Sequence, residues 1–529
     1  MSHLLKQQIY IVFTQLFYFF KKPIFKYILL TGLYFFLMYA PLRSLLSQSI
    51  PHWFDTAWAL LIGLENQQKI QLIGFAGGIP GIHYGPHWFW MISLVQLVNR
   101  NPAVITAVLM FIPYFTLFPY LFYKFSKVLG TVPMTALWVV YLLTYQSNAV
   151  HLWQIHLVPI VFLAILYLLT TSSLESPHKK EYRKIFLVGI LCSFAVNIHW
   201  SFGTVIFLST SIFLISIVCI NLIKQRKKAI IPSGLLLFLY SGGFLLSHSP
   251  FIVFELRHDF YQTKNILYMI TQSVLYNSAV VGQKGFSHPQ IVDMFLTLPL
   301  ELLQLPRQFF YSFWLIVVYI LSYLFLKRKL WRNLTQLRLI WMIVISTATV
   351  LTMYLSSKNP IWSYHFIGAE ILFVVLVGYL AYKVKPAQVL LVGWISYVTI
   401  KAFVHIATDK PPDPLSLSTL ITKRTIVESI YRDAASMPFS VFAYSPSIYT
   451  YDYDYLFKWL GTDIYRYMPQ SEPTADMVYL IIPTTYDAIK YDFIHYKSPP
   501  ALYQTTKEWQ IADGTSVVKR MKISPVGKK

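Results

Sequence analysis

Charge is scarce in this sequence. Only 12% of its 529 residues are Asp, Glu, Lys or Arg, against about 25% in soluble domains, which excludes an ordinary water-soluble globule. Acid is scarcer than base: there are 22 carboxylates to 44 Lys and Arg, and only nine of the 22 lie in the first 404 residues. Cysteine is nearly absent. The two present, Cys192 and Cys219, both sit in apolar runs, so neither a disulfide framework nor a thiolate zinc site is available. No internal repeat is found, and with it goes the inverted-repeat signature of many transporters. Nucleic-acid binding is set aside as well. The net charge of +22 is not gathered into a basic patch with interleaved stacking aromatics, and in a polytopic chain Lys and Arg mark cytoplasmic loops.

What the sequence does have is apolar length. It is 56% apolar and 17% aromatic, and long runs recur from Lys26 to about Val404. A bilayer takes about 20 apolar residues per crossing helix, and only helices satisfy every backbone group within their own segment. The runs predict about eleven spans, at 27–46, 102–122, 131–147, 157–172, 185–200, 203–223, 230–250, 308–326, 338–356, 365–382 and 386–404. Lys21, Lys22 and Lys26 precede the first run with no small-residue cleavage pattern after it, so it reads as a span and not a cleaved leader. Residues 8–20 are apolar but short and read as interfacial. The segment 86–98 is also short and reads as a helix on the membrane surface. With the N-terminus inside, 21 of the 30 Lys and Arg before residue 404 fall inside and nine outside, as the positive-inside rule requires.

The predicted fold is therefore an all-α polytopic membrane domain, 1–404, with surface helices in a first exterior loop (about 47–101) and a second exterior loop (about 251–306). A small exterior α+β domain, 405–529, follows. The last 125 residues hold 13 of the 22 carboxylates, and prolines cluster at Lys410-Pro411-Pro412-Asp413-Pro414. Ser440–Tyr444 and Met477–Ile482 read as strands, Leu420–Ala435 as an amphipathic helix, and Gly514 onward as a terminal strand and tail.

The rare carboxylates narrow the chemistry. Glu175 and Glu181 fall in a basic cytoplasmic loop and read as solvated. Glu370, early in a span, is either a functional group or a satisfied structural one. The remaining six, Asp55, Glu65, Glu255, Asp259, Asp293 and Glu301, are all exterior. Asp55 begins an amphipathic helix (55–64), where a helix N-cap is its bland role. Beyond it lie a Gly/Pro-rich stretch and the aromatic run His87-Trp88-Phe89-Trp90. Glycines admit close backbone approach to a ligand, and aromatics suit sugar faces and lipid interfaces alike. Glu255, Arg257, His258, Asp259 and Lys264 crowd together in an otherwise charge-poor chain. His83, His87, His151, His156, His199 and His365 accumulate at the exterior face.

Several pieces in order resemble the C-type glycosyltransferase superfamily, which includes protein O-mannosyltransferases and lipid A aminoarabinose transferases. They are an acidic residue just past the first span and Gly78-Ile79-Pro80-Gly81-Ile82-His83-Tyr84-Gly85-Pro86. Next come Leu152-Trp153 with Pro159, and Asn197-Ile198-His199. Pro250-Phe251, with Phe254-Glu255-Leu256-Arg257-His258-Asp259-Phe260, is the most specific piece. Tyr364-His365-Phe366 and Tyr451-Asp452-Tyr453-Asp454-Tyr455-Leu456-Phe457 complete the set. The resemblance implies transfer of a sugar from a polyprenyl-phosphate donor to an acceptor outside the cytoplasmic membrane. Asp55 would be the base on the acceptor hydroxyl. Arg257, His258 and Lys264 would hold the donor phosphate, with His83, Tyr84, Glu255, Asp259 and His365 also lining the substrate site. Many relatives carry two adjacent acidic residues where this chain has Phe54-Asp55-Thr56, which puts a paired-carboxylate site in doubt. Some relatives bind a divalent ion there, which leaves one possible here, but no spacing such as His-Glu-x-x-His supports it, and the sequence identifies no cofactor. The implied partners are the lipid-linked sugar, the bilayer and a glycan, lipid or protein acceptor. A transporter or lipid flippase is the alternative, marked by intramembrane charge, for which only Glu370 speaks.

Overall fold

Apolar runs without water can pair their backbone groups only as helices, and helices occupy every predicted span in the computed structural model. It describes residues 23–76, 81–175, 177–225, 230–275, 286–327, 333–357, 361–408, 419–444, 449–470, 475–483, 490–511 and 514–523. The expectations for 8–20, for Gly78-Ile79-Pro80, for Lys410–Pro414 and for the tail after 523 lie outside the described residues. The membrane-type helices are α1 (Pro23–Leu46), α4 (Pro102–Leu129), α5 (Thr131–Tyr145), α6 (Gln154–Thr170), α7 (Lys179–Ile198), α8 (Trp200–Gln225) and α9 (Ile230–Arg257). They continue with α12 (Phe310–Leu326), α13 (Leu334–Ser356), α14 (Glu370–Lys383) and α15 (Lys385–Thr408).

Among the described residues, six helical segments are long and apolar enough to cross a bilayer: Pro102–Leu129, Trp200–Lys224, Ile230–Arg257, Arg307–Leu326, Leu334–Ser356 and Lys385–Val404. The count of eleven is not reached by that measure, for a physical reason. Helix α5 has 15 residues and α14 has 14, about 21–23 Å of rise against about 30 Å of hydrocarbon. Both are sheathed by other helices. Helices α7 and α9 pack backbone to backbone. A methyl group on Gly189 would strike the Tyr240 carbonyl, and one on Gly243 would strike the Phe186 carbonyl, the close approach small residues permit in membranes.

The first loop forms two helices, α2 (Phe54–Gln68) and α3 (His87–Gln96). At ten residues α3 rises about 15 Å, too short to cross, and it buries Trp88, Phe89 and Ile92 in protein. Between them the chain doubles back: Gly74 donates to the Tyr84 carbonyl (2.8 Å) and Tyr84 to that of Phe75 (3.1 Å). The second loop differs from its sequence reading. Helix α9 runs on through Pro250 to Arg257, and α10 (Tyr261–Leu275) and α11 (His288–Leu302) follow. On the opposite face Glu181 is not solvated; it is buried and paired with Lys184 at 2.9 Å, and Glu175 pairs with Arg338.

The C-terminal domain is a four-stranded sheet with helices: α16 (Leu420–Ala434), β1 (Ser440–Ala443), α17 (Tyr451–Leu460), β2 (Met477–Ile482), α18 (Lys490–Lys497), β3 (Tyr503–Gln510) and β4 (Ser516–Lys522). The order is β1-β2-β4-β3, with β1 parallel to β2 and the other pairs antiparallel. All six β2 residues are buried, as its unbroken apolar run demands. This domain is stitched to the first loop. Leu420 N–H donates to the Ile50 carbonyl (2.9 Å) and Ile421 N–H to that of Gln48 (3.0 Å). Tyr455 hydroxyl donates to the Arg100 carbonyl (2.6 Å). The Lys423 ammonium reaches both Asp452 (2.5 Å) and the His52 carbonyl (2.8 Å).

Candidate active site

The six carboxylates predicted outside divide by what they already hold. Glu255 is buried and fully used: its oxygens accept from Gln262 N–H (3.0 Å), Thr263 N–H (2.8 Å) and Thr263 hydroxyl (2.6 Å). It caps the start of α10, a structural role. Asp293 pairs with Arg307 (2.5 Å) and Glu65 accepts from Gln71 (3.0 Å). Asp259 and Glu301 are exposed. Asp55 alone of the six is half-buried with no hydrogen bond or ion pair among the described residues.

Its position removes the bland reading. Trp53 is the N-cap of α2 and no side chain bonds there, so Asp55, in the first helical turn, does not cap. Burial pushes its carboxyl above its ordinary range, because a charge loses water there. Two phenols stand near enough to feel that charge. Burial first, then Tyr364 and Asp55, drive the Tyr84 hydroxyl far up; burial and then Asp55 raise Tyr364. Both stay protonated, and neither bonds to the carboxylate.

Aromatic rings enclose this group. Trp53 lies 4.7 Å from His151 and 6.3 Å from Trp153, and Trp153 lies 5.8 Å from Tyr364. On the other flank Phe54 is 5.0 Å from Tyr451, and Trp58 stacks on both Phe75 (4.6 Å) and Tyr451 (5.5 Å). Phe75 closes on Tyr84 at 5.4 Å. Four chain segments far apart in sequence thus meet: the first loop, the turn after α5, the turn before α14 and the start of α17.

The basic group predicted at 257–264 forms a second wall. Arg257, His258 and Lys264 are exposed, and Arg257 and Lys264 have no ion pair among the described residues. His258 stacks on Phe254 at 4.1 Å and bonds to its carbonyl (2.8 Å). Asp259 and Phe260 have positive φ, 51° and 58°, a strained turn from α9 into α10. Helix α10 reaches the Gly-rich stretch directly: Asn265 donates to the Gly81 carbonyl (3.2 Å), and His83 N–H donates to Gln262 (2.7 Å). The described ends of this stretch therefore join the two walls, with Tyr84 on the Asp55 side and Gly81 on the α10 side. Gly85 seats it, its N–H donating to the Asn197 carbonyl (3.0 Å), and any side chain there would strike Asn197.

Four of the six histidines gather. His151 and His156 share a bond (3.1 Å), and the rings of His199 and His365 lie 6.4 Å apart. Trp362 N–H donates to Nδ1 of His365 (2.9 Å), which leaves Nε2–H as a donor. His83 bonds to Gly74 (3.3 Å) and His87 packs on Trp90 and Phe194, apart from the four. Among the described residues no three His, Cys, Asp or Glu converge as a metal centre requires. Glu370 is buried and bonded to Tyr141 (3.0 Å) and Gly368 N–H (2.7 Å), a satisfied structural carboxylate. Sequence reasoning passed over Tyr364 in favour of its neighbour His365, and did not place Trp53 or Tyr451 at the site. Their aromatic character was visible, but only folding brings the segments together.

No family model matches the sequence, and no curated protein matches it. Solved structures do. The chain superposes on ArnT from Cupriavidus metallidurans bound to undecaprenyl phosphate with a TM-score of 0.53, over 94% of this chain and 98% of that one, at 11% identity. ArnT in the apo state gives 0.48 over 92% and 98%, also at 11% identity. With six helices among the described residues long and apolar enough to cross a bilayer, and the architecture of ArnT along nearly its whole length, the chain is a multi-pass membrane protein that shares the fold of ArnT.

Proposed function

We propose that the protein is a glycosyltransferase that moves a sugar from a polyprenyl-phosphate donor to an acceptor hydroxyl at the exterior face of the cytoplasmic membrane. One observation carries this reading. Among the described residues Asp55 is the half-buried, unpartnered carboxylate of the six, just beyond α1, in a chain whose fold is that of a transferase solved with undecaprenyl phosphate. With the N-terminus inside, a first crossing by α1 puts that carboxylate outside, near the level of a lipid phosphate. The acceptor oxygen forms a bond to the anomeric carbon as Asp55 takes its proton. The bond from that carbon to the phosphate oxygen breaks, its electron pair leaves with the lipid phosphate, and configuration inverts. Tyr84, Tyr364 and the Nε2–H of His365 are donors to sugar or phosphate oxygens. Arg257, His258 and Lys264 offer cationic or donor groups to the leaving phosphate.

The test is Asp55→Asn, which keeps shape and removes the base. Transfer from a panel of undecaprenyl-phosphate hexoses and pentoses should fall by about 10²-fold or more. Transfer close to the wild-type rate sinks the mechanism. In the same preparation Arg257→Ala should weaken undecaprenyl phosphate binding by about 1.5–3 kcal/mol; unchanged affinity would make Arg257 a headgroup anchor.

A further inference from the structure

We infer that the acceptor is an oligosaccharide, held by the C-terminal domain in a pocket beside α17 while its terminal hydroxyl reaches Asp55. This rests on the transferase reading above. The pocket lies between β1, α17 and α18 and has a volume of about 360 Å³, within the ~300–1,000 Å³ of small-molecule sites. Its walls are aromatic: Tyr444 meets Phe493 edge-on at 5.3 Å, and Phe442 and Tyr496 stand beside them. Its polar groups are opposite in kind. Among the described residues the Asp454 carboxylate is bonded only to Thr450 hydroxyl, at 3.0 and 3.1 Å, and keeps lone pairs free. The Lys497 ammonium lies 5.2 Å from the Phe442 ring and 5.0 Å from that of Tyr496.

Flat ring faces beside one acceptor and one donor suit a ligand with apolar C–H faces and many hydroxyls. An acyl chain would strip water from both charges with nothing in return. Chain neighbours of the pocket also reach the first loop, which carries Asp55. Helix α17 turns Thr450, Asp454 and its neighbours to the pocket and Tyr451 to the first loop. Tyr449, 53% exposed, stacks on Tyr451 at 5.2 Å, and Tyr451 stacks on Trp58. A saccharide leaving the pocket crosses that stacked row and ends beside Phe54 and Asp55.

The experiment probes an array of bacterial oligosaccharides and a matched array of short peptides with the full-length protein in detergent. Wild type should retain oligosaccharides over monosaccharides. Phe493→Ala and Tyr496→Ala should each lower apparent affinity about tenfold. Tyr496 is 78% exposed, so its loss cannot be blamed on misfolding. Three results overturn the proposal: no oligosaccharide retained above a detergent blank, equal retention by both variants, or retention of peptides that these variants abolish. Hydrolysis of undecaprenyl-phosphate sugars without acceptor, compared in wild type and Asp55→Asn, separates the two readings. Asp55-dependent cleavage with no glycan bound removes the saccharide acceptor alone. Glycan binding with no Asp55-dependent cleavage removes the transferase and the acceptor role with it.

Discussion

At the scale of single residues, the burial of Asp55 costs stability and suits the base role proposed for it. Burial raises its carboxyl, and a base acts only when deprotonated, so transfer should rise with pH and level off once Asp55 is ionised. The rising limb belongs above the ~3.9 of an ordinary Asp. A rate already flat at that pH would remove the shifted base. The same shift fixes the sign of a stability effect. The folded-state value lies above the unfolded one, so the native protein binds the proton more tightly and loses stability as pH rises through it. Asp55→Asn lacks that loss. Its Tm at pH 7.5 should equal or exceed that of wild type in a thermal melt, and a fall of several degrees would make Asp55 structural after all.

At the scale of elements, the turn from α9 to α10 shows how one side chain sets the position of a wall. Glu255 holds the first N–H groups of α10 and the Thr263 hydroxyl, and α10 in turn holds Gly81 and His83. Glu255→Ala strands the buried Gln262 N–H and frees Thr263, at a cost of about 1–3 kcal/mol. The loss should be local. Hydrogen exchange across 261–268 should quicken while α7 and α8 keep their protection; uniform quickening along the chain would contradict a capping role. The Asp–Phe pair at positive φ explains why this segment was read as loop. A strained turn and a Pro250 inside a helix both look like breaks in sequence, yet the surrounding apolar contacts carry α9 through.

At the scale of the whole molecule, the C-terminal domain and the first loop share one ionic latch. Lys423 and Asp452 are largely buried, with side chains 10% and 18% exposed, and His52 beside them is pushed down to about 4, by burial first and then by Lys423. Removing one partner leaves the other charge buried, a loss of up to about 3–5 kcal/mol. Asp452→Ala should therefore lower Tm, and Lys423→Met should do so less, because the Asp452 it strands is the more exposed of the two. Equal and negligible effects would mean the backbone bonds at Ile50 and Gln48 hold the domain unaided. Orientation is tested separately. A phosphatase active only outside the cytoplasm, fused after the last residue, should be active, whereas activity of a cytoplasmic reporter at that point would invert the topology.

Much of this protein was legible before folding. Charge scarcity and apolar run length dictate the helices, since a backbone out of water has few other options. The strands at 440 and 477 and the helix from Leu420 follow from period and composition, and the rarity of exterior carboxylates makes Asp55 a candidate. The tertiary structure alone decided which carboxylates were spent. Glu255 and Glu370 are identical in kind to free acids in a sequence, and only the fold brings Thr263 to one and Tyr141 to the other. It also decided that Tyr364 and Tyr451, from segments hundreds of residues beyond Asp55, stand around it. Local sequence fixes which backbone bonds a segment makes, whereas partners in a site are set by long-range packing, which no local pattern encodes.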